Sequence, residues 1–264
     1  MFRIFGRQRG KRGRRLRAGA AGGIGAITLT AGLAWAAAPA AQAETAIYEV
    51  AFQTSTGNLS TVGTVSTQNH GAWNLPIMPG TRPSIDLNDG TSTVPGGWEV
   101  AYQDPTGQLI TFGPGGVTHT GQNVAPGTSP SIGCFVAGGC VVAFQASTGH
   151  AMTLGDFDGL RDWGLMAPKT SPSIAALGLG LTGYEVAYQN TSGNLVTAGT
   201  FDNHGARELG MMAGTSPGIT GLPSGGYEVA FQANTGQVWT VGADNHNAWN
   251  PANTTAIGTS PSIG

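Results

Sequence analysis

Tyr227-Glu228-Val229-Ala230-Phe231-Gln232 sets a pattern that the chain repeats at Tyr48 to Gln53 (YEVAFQ), Trp98 to Gln103 (WEVAYQ), Cys140 to Gln145 (CVVAFQ) and Tyr184 to Gln189 (YEVAYQ). Alternate positions are aromatic or β-branched and the positions between them are smaller or polar. This period of two belongs to a strand, not a helix. The closing glutamine recurs at 53, 103, 145, 189 and 232, in steps of 50, 42, 44 and 43. A period near 44 suits either a four-stranded sheet repeat or a helical one. The alternation decides for the sheet.

Each copy is followed by a short polar turn that ends in glycine: Gly57, Gly107, Gly149, Gly193 and Gly236. Glycine can take the positive φ that a hairpin with a bulge requires, so the chain is expected to return into a second strand such as Gln237 to Val241. A variable polar stretch comes next, and then Thr81-Arg82-Pro83-Ser84-Ile85, repeated as TSPSI from 128 and 170, TSPGI from 215 and TSPSI from 259. Proline cannot donate to a ladder, so it should mark the start of this strand or an edge. The first YEVAFQ has no TSPSI before it and the last TSPSI has no YEVAFQ after it. A ring resolves both deficits, with the C-terminal TSPSI strand completing the sheet of the first unit. The expected fold is all-β: a five-bladed β-propeller over residues 44–264, closed by that strand.

Composition agrees with many strands and turns. Glycine accounts for 44 of 264 residues and charged residues for only 10%, a poor basis for helices. Eight of the twelve Lys and Arg fall in the first 17 residues, while all fourteen Asp and Glu come after residue 43. The basic start leads into an Ala/Gly/Leu run from Ala18 to about Ala38 and then Ala41-Gln42-Ala43, an A-x-A cleavage site. Residues 1–43 thus read as a signal peptide for secretion, through the general route or, from Arg14-Arg15-Leu16, the twin-arginine route. An uncleaved anchor is the alternative, and no later segment could span a membrane. Beyond residue 43 four basic side chains (Arg82, Arg161, Lys169, Arg207) face fourteen acidic ones, a formal charge of −10. So acidic a domain lacks the basic face that nucleic acid requires. Cys134 and Cys140, in an exported chain and flanking a hairpin-like FVAGG connection, are expected to form a disulfide.

The blade pattern, TSPSI followed by GGYEVAFQANTGQVWTVG, resembles repeats of secreted actinobacterial proteins and is similar to the tachylectin and PLL-type families of β-propeller lectins. The resemblance covers the whole domain but rests on framework residues. It implies carbohydrate binding without assigning any contact residue.

The variable stretch offers the candidates. It reads QNHGAWN from Gln68, DGLRDW from Asp158, DNHGAR from Asp202 and DNHNAWN from Asp244. A sugar presents an apolar ring face and a rim of hydroxyls, so an aromatic plate beside planar polar groups suits it. Trp73, Trp163 and Trp249 would stack, with Asn69, His70, Asn203, His204, Asn245 and His246 as hydrogen-bonding partners. The alternative is that these tryptophans pack between blades while the Asn-His pairs hold turns. Glu49, Glu99, Glu185 and Glu228 recur at the second motif position, where unit three has Val141. Glycoside hydrolysis needs two carboxyls in different environments. Four rotationally equivalent glutamates do not provide that, so they read as structural. Asp156-Phe157-Asp158-Gly159 reads as a turn, because it lacks the later glutamate of a calcium loop. No metal site, cofactor or catalytic motif is expected. The leading expectation is a non-catalytic, lectin-like module with several weak equivalent sites, whose partner is a glycan or cell-surface polysaccharide. A scaffold for a protein partner is the second reading and a glycan-cleaving enzyme the third.

Overall fold

The computed structural model describes residues 48–64, 71–88, 97–135, 138–177, 183–201, 205–223, 225–242 and 255–263. The expected signal peptide lies outside them. The described residues form strands and turns only, and among them no helix is long and apolar enough to cross a membrane.

Five antiparallel sheets follow one another. The first contains β1 (Glu49–Gln53), β2 (Asn58–Gly63) and β3 (Gly71–Pro76). The second contains β4 (Ser84–Asn88), β5 (Gly97–Gln103), β6 (Gln108–Gly113) and β7 (Gly116–Asn123). In the third are β8 (Ser131–Cys134), β9 (Cys140–Gln145), β10 (His150–Gly155) and β11 (Gly159–Leu165), and in the fourth β12 (Ser173–Ala176), β13 (Tyr184–Gln189), β14 (Asn194–Gly199) and β15 (Gly205–Gly210). The fifth has β16 (Gly218–Gly221), β17 (Tyr227–Gln232) and β18 (Val238–Gly242).

The first four TSPSI-type segments form strands that pair with the YEVAFQ-type strand after them, as in Ser131↔Ala143 and Ser173↔Ala187, and each begins just past its proline. The hairpin glycines take the left-handed conformation the turns need, with φ of 86° at Gly57 and 83° at Gly236. The motif glutamine is a framework clamp. Gln53 Nε2 donates to the Ile77 carbonyl at 2.9 Å, Gln103 to Val124 at 3.0 Å and Gln145 to Ala167 at 3.1 Å, tying each YEVAFQ strand to the chain leaving the outer strand.

Although their residues alternate in polarity, β9 and β13 are buried along both faces. The reason is stacking: each middle sheet lies between two others, and the two faces of one strand enter different cores. Val100 and Tyr102 pack with Leu59 and Ile77 of the first sheet, while Ala101 packs with Val142 and Phe144 of the third. Burial of each such aromatic or branched side chain stabilises by roughly 1.5–3 kcal/mol, so most of the stability lies between sheets.

The TSPSI segments themselves are laced together by serine. Arg82 N donates to Ser129 Oγ, Ser129 N to Ser171 Oγ, Ser171 N to Ser216 Oγ and Ser216 N to Ser260 Oγ, each at 2.9 Å. A second row runs in the opposite sense, from Ile132 N to Ser84 Oγ and from Ile174 N to Ser131 Oγ, both at 3.2 Å. The C-terminal TSPSI therefore continues the row beside β16. Among the described residues no ladder joins it to β1, and no closed ring is formed. Correspondingly Tyr48 is 52% and Phe52 43% exposed, whereas their counterparts Trp98 and Tyr102 are buried.

The expected disulfide is present: Cys134 and Cys140 are directly opposed on β8 and β9 and joined through sulfur.

Candidate functional site

Every second strand carries a threonine opposite the motif alanine: Thr61, Thr111, Thr153, Thr197 and Thr240. In three sheets its hydroxyl anchors a long side chain from the outer strand. Trp73 Nε1 donates to Thr61 Oγ1 at 3.2 Å, Trp163 Nε1 to Thr153 Oγ1 at 2.9 Å and Arg207 Nε to Thr197 Oγ1 at 2.7 Å. The Trp73 ring meets Phe112 edge-on at 4.8 Å, and Trp163 meets Tyr184 at 6.4 Å and 85°. Arg207, buried, also donates to the Tyr227 hydroxyl. Of the candidate tryptophans, Trp73 and Trp163 are described, half-buried, and make these ring contacts between sheets. Trp249, Asn69, His70, Asn203, His204, Asn245 and His246 lie outside the described residues.

A cavity of about 450 Å³ opens beside this anchor between the third and fourth sheets. Phe157, Asp158 and Arg161 reach it from the β10–β11 turn and the start of β11, and Tyr184, Thr200 and Phe201 from the fourth sheet. Asp158 organises the site: its Oδ2 is 2.7 Å from Arg161 Nε and accepts the Tyr184 hydroxyl at 2.6 Å. Burial, and then the bond to Asp158, raises the Tyr184 pKa above the ordinary phenolic value. The phenol stays a donor, then, and Arg161, about half exposed, presents its remaining N–H groups at the mouth. Phe157 is 58% and Phe201 42% exposed. Apolar ring edges, a guanidinium and a partly buried carboxylate together offer a hydrogen-bonding and a stacking surface to one small polar ring.

The sequence reading missed Asp158 as a site residue. In the first and fourth sheets the motif glutamate lies over a glycine on the paired strand, Glu49 over Gly63 and Glu185 over Gly199. Unit three has Val141 instead of glutamate. There Asp158 Oδ1 lies over the equivalent Gly155, with no hydrogen-bond partner among the described residues. The turn has supplied the carboxylate that the strand lost. The signal was available as a paired departure from the repeat: Glu to Val at 141 together with the compact DFDG turn.

The glutamates are also less equivalent than the repeats suggested. Glu185 is fully buried, while Glu49, Glu99 and Glu228 are partly so. For Glu99, burial first and the charge of Asp156 second raise the carboxyl pKa, against a hydrogen bond from Thr111 that lowers it.

No family model and no curated protein matches the chain. Solved structures do. A fungal lectin of Aleuria aurantia, described as a six-bladed β-propeller with a novel fucose recognition mode, is 15% identical, with 81% of this chain and 75% of that chain covered and a TM-score of 0.56. SapL1 lectin, solved with α-methyl fucoside, is 16% identical, with 82% and 81% covered and a TM-score of 0.53. The fold is that of a β-propeller. At such identities the likeness reaches the sheets, numbered below as blades in chain order, and their stacking.

Proposed function

We propose that this chain is an exported, non-catalytic carbohydrate-binding propeller whose five blades close into a ring through the C-terminal TSPSI strand. The observation that carries the reading is the cavity between blades three and four, where Arg161, Asp158 and Tyr184 meet the exposed rings of Phe157 and Phe201. Support comes also from the structures of like fold, which are lectins solved as fucose binders. The basic and apolar N-terminal segment ending in Ala41-Gln42-Ala43 is the basis for export. Repetition favours binding over catalysis, because weak contacts to a polymer gain strength when several engage together. In this reading the polar stretches with Asn69 and His70, Asn203 and His204, and Asn245, His246 and Trp249 border further sites on the other blades.

A glycan array at physiological salt, followed by titration of the retained sugars, tests this. Arg161→Ala and Phe157→Ala should each weaken retention by about tenfold, the worth of one charge-assisted hydrogen bond or one stacking contact. Retention of no glycan at high protein density would overturn the lectin reading. Release of reducing sugar that depends on Glu99 or Asp156 would replace it with the hydrolytic one.

A further inference from the structure

We propose that the groove between the outer strand of blade four and the hairpin of blade five is a second saccharide subsite, taking a single neutral pyranose ring. The groove holds about 170 Å³ and is lined by Glu208, Gly210, Phe231, Asn234, Thr235 and Trp239. It shares no residue with the first cavity, which sits where β9 and β13 begin; this groove sits where β17 ends and its hairpin turns.

Two departures from the repeat meet here. Position 239 is Ser60, Ile110, Met152 and Val196 in the other blades, all paired with the same motif residue that Trp239 opposes in Phe231. The framework therefore has no need of an indole, yet blade five presents one, half-buried against the core it shares with blade four. Position 210 is Pro76, Asn123 and Leu165 in blades one to three, the residues paired with Asn58, Gln108 and His150. Blade four has Gly210 there, paired with Asn194. The missing side chain leaves the space into which the Asn234 amide projects, over Gly210 itself. Asn234 N donates to the Gly210 carbonyl at 3.0 Å, which fixes the hairpin against the outer strand.

The lining specifies the ligand class. An indole face suits the apolar C–H face of a sugar ring, and the exposed amide of Asn234 and hydroxyl of Thr235 suit its rim. Glu208 is exposed and pairs with no cation among the described residues. Its carboxylate accepts from sugar hydroxyls and repels an acidic sugar, which is why the ring is neutral. The ligand class rests on the lectin reading, but the site does not rest on the first cavity.

The test uses ¹⁵N-labelled protein and the tryptophan indole N–H resonances, with that of Trp239 assigned by its loss in Trp239→Val. Arg161→Ala serves as background to weaken the first cavity about tenfold. The probes are the methyl glycosides of glucose, galactose, mannose and fucose, with methyl glucuronide as the acidic member. At least one neutral glycoside should shift the Trp239 resonance saturably in the millimolar range in Arg161→Ala, and the glucuronide should bind about tenfold more weakly or worse. Gly210→Leu, which installs the side chain that blade three carries at Leu165, should abolish the shift while the Trp239 resonance remains, and Trp239→Val should remove the residual binding. Binding by the parent that disappears entirely in Arg161→Ala would leave the first site standing and overturn this one. A shift that survives Gly210→Leu would overturn it equally. No saturable binding of any probe by the parent would remove both.

Discussion

Four of the five turns that lead into TSPSI place glycine at a left-handed position, with φ between 76° and 83° at Gly80, Gly127, Gly214 and Gly258. The fifth uses Lys169 at φ 61°, exposed and without need of its side chain for the turn. A side chain in that conformation costs about 1 kcal/mol or more. Lys169→Gly should raise stability by about that amount less the extra entropy of the unfolded glycine, seen as a higher urea midpoint with unchanged slope. Glu99 offers a second single-residue test. Its folded pKa is raised above the ordinary 4.5, so the folded state holds the proton more tightly than the unfolded chain does. The stability this contributes is fully present below 4.5 and is lost as pH rises through the raised value. Glu99→Gln should therefore stabilise the protein at neutral pH relative to the parent and flatten its urea midpoint across that window. A parent midpoint that rises over the same window and a destabilised variant would refute the assignment.

At the scale of the element, the disulfide crosses the hairpin of β8 and β9 beside the first cavity, where Phe135 and Val141 line the wall next to Cys134 and Cys140. Replacing both cysteines with serine closes no new contact and frees a short loop. It should lower stability by about 2 kcal/mol on chain-entropy grounds. The same change should weaken glycan binding at the first cavity while leaving the Trp239 groove unaffected, as separate titrations would show. The strands, their pairing and the hairpin glycines were all legible in the sequence, because each depends on a residue and its near neighbours: alternation in YEVAFQ, glycine in the turn, proline ahead of Ser84 or Ser131. The cavity was not. It arises from Asp158 replacing the carboxylate lost at Val141, a substitution between elements that local pattern does not report. Likewise Trp73 and Trp163 look the same in sequence whether they stack on a sugar or on Phe112 and Tyr184. Only the placement of adjacent blades decides what lies against them.

For the molecule as a whole, the physical question is the apolar face of β1 and β2, where Tyr48, Val50, Phe52 and Val62 are each more than two-fifths exposed. In blade two the same positions are covered by blade one, with Trp73 against Phe112. Closure predicts that this face is covered in solution, with amide protons of β1 exchanging as slowly as those of β17. Exchange of β1 within the range of exposed turns would show an open arc instead. A Val50→Glu substitution should cost several kcal/mol in a ring and little in an arc. The serine lacing bears on how such a molecule came to be. Each rung is satisfied by the neighbouring repeat alone, Ser129 by Arg82 and Ser171 by Ser129, and nothing in it registers a total. Gene duplication or deletion of one module would reproduce the same local seam, so relatives of this architecture can gain or shed a wedge without inventing a new joint.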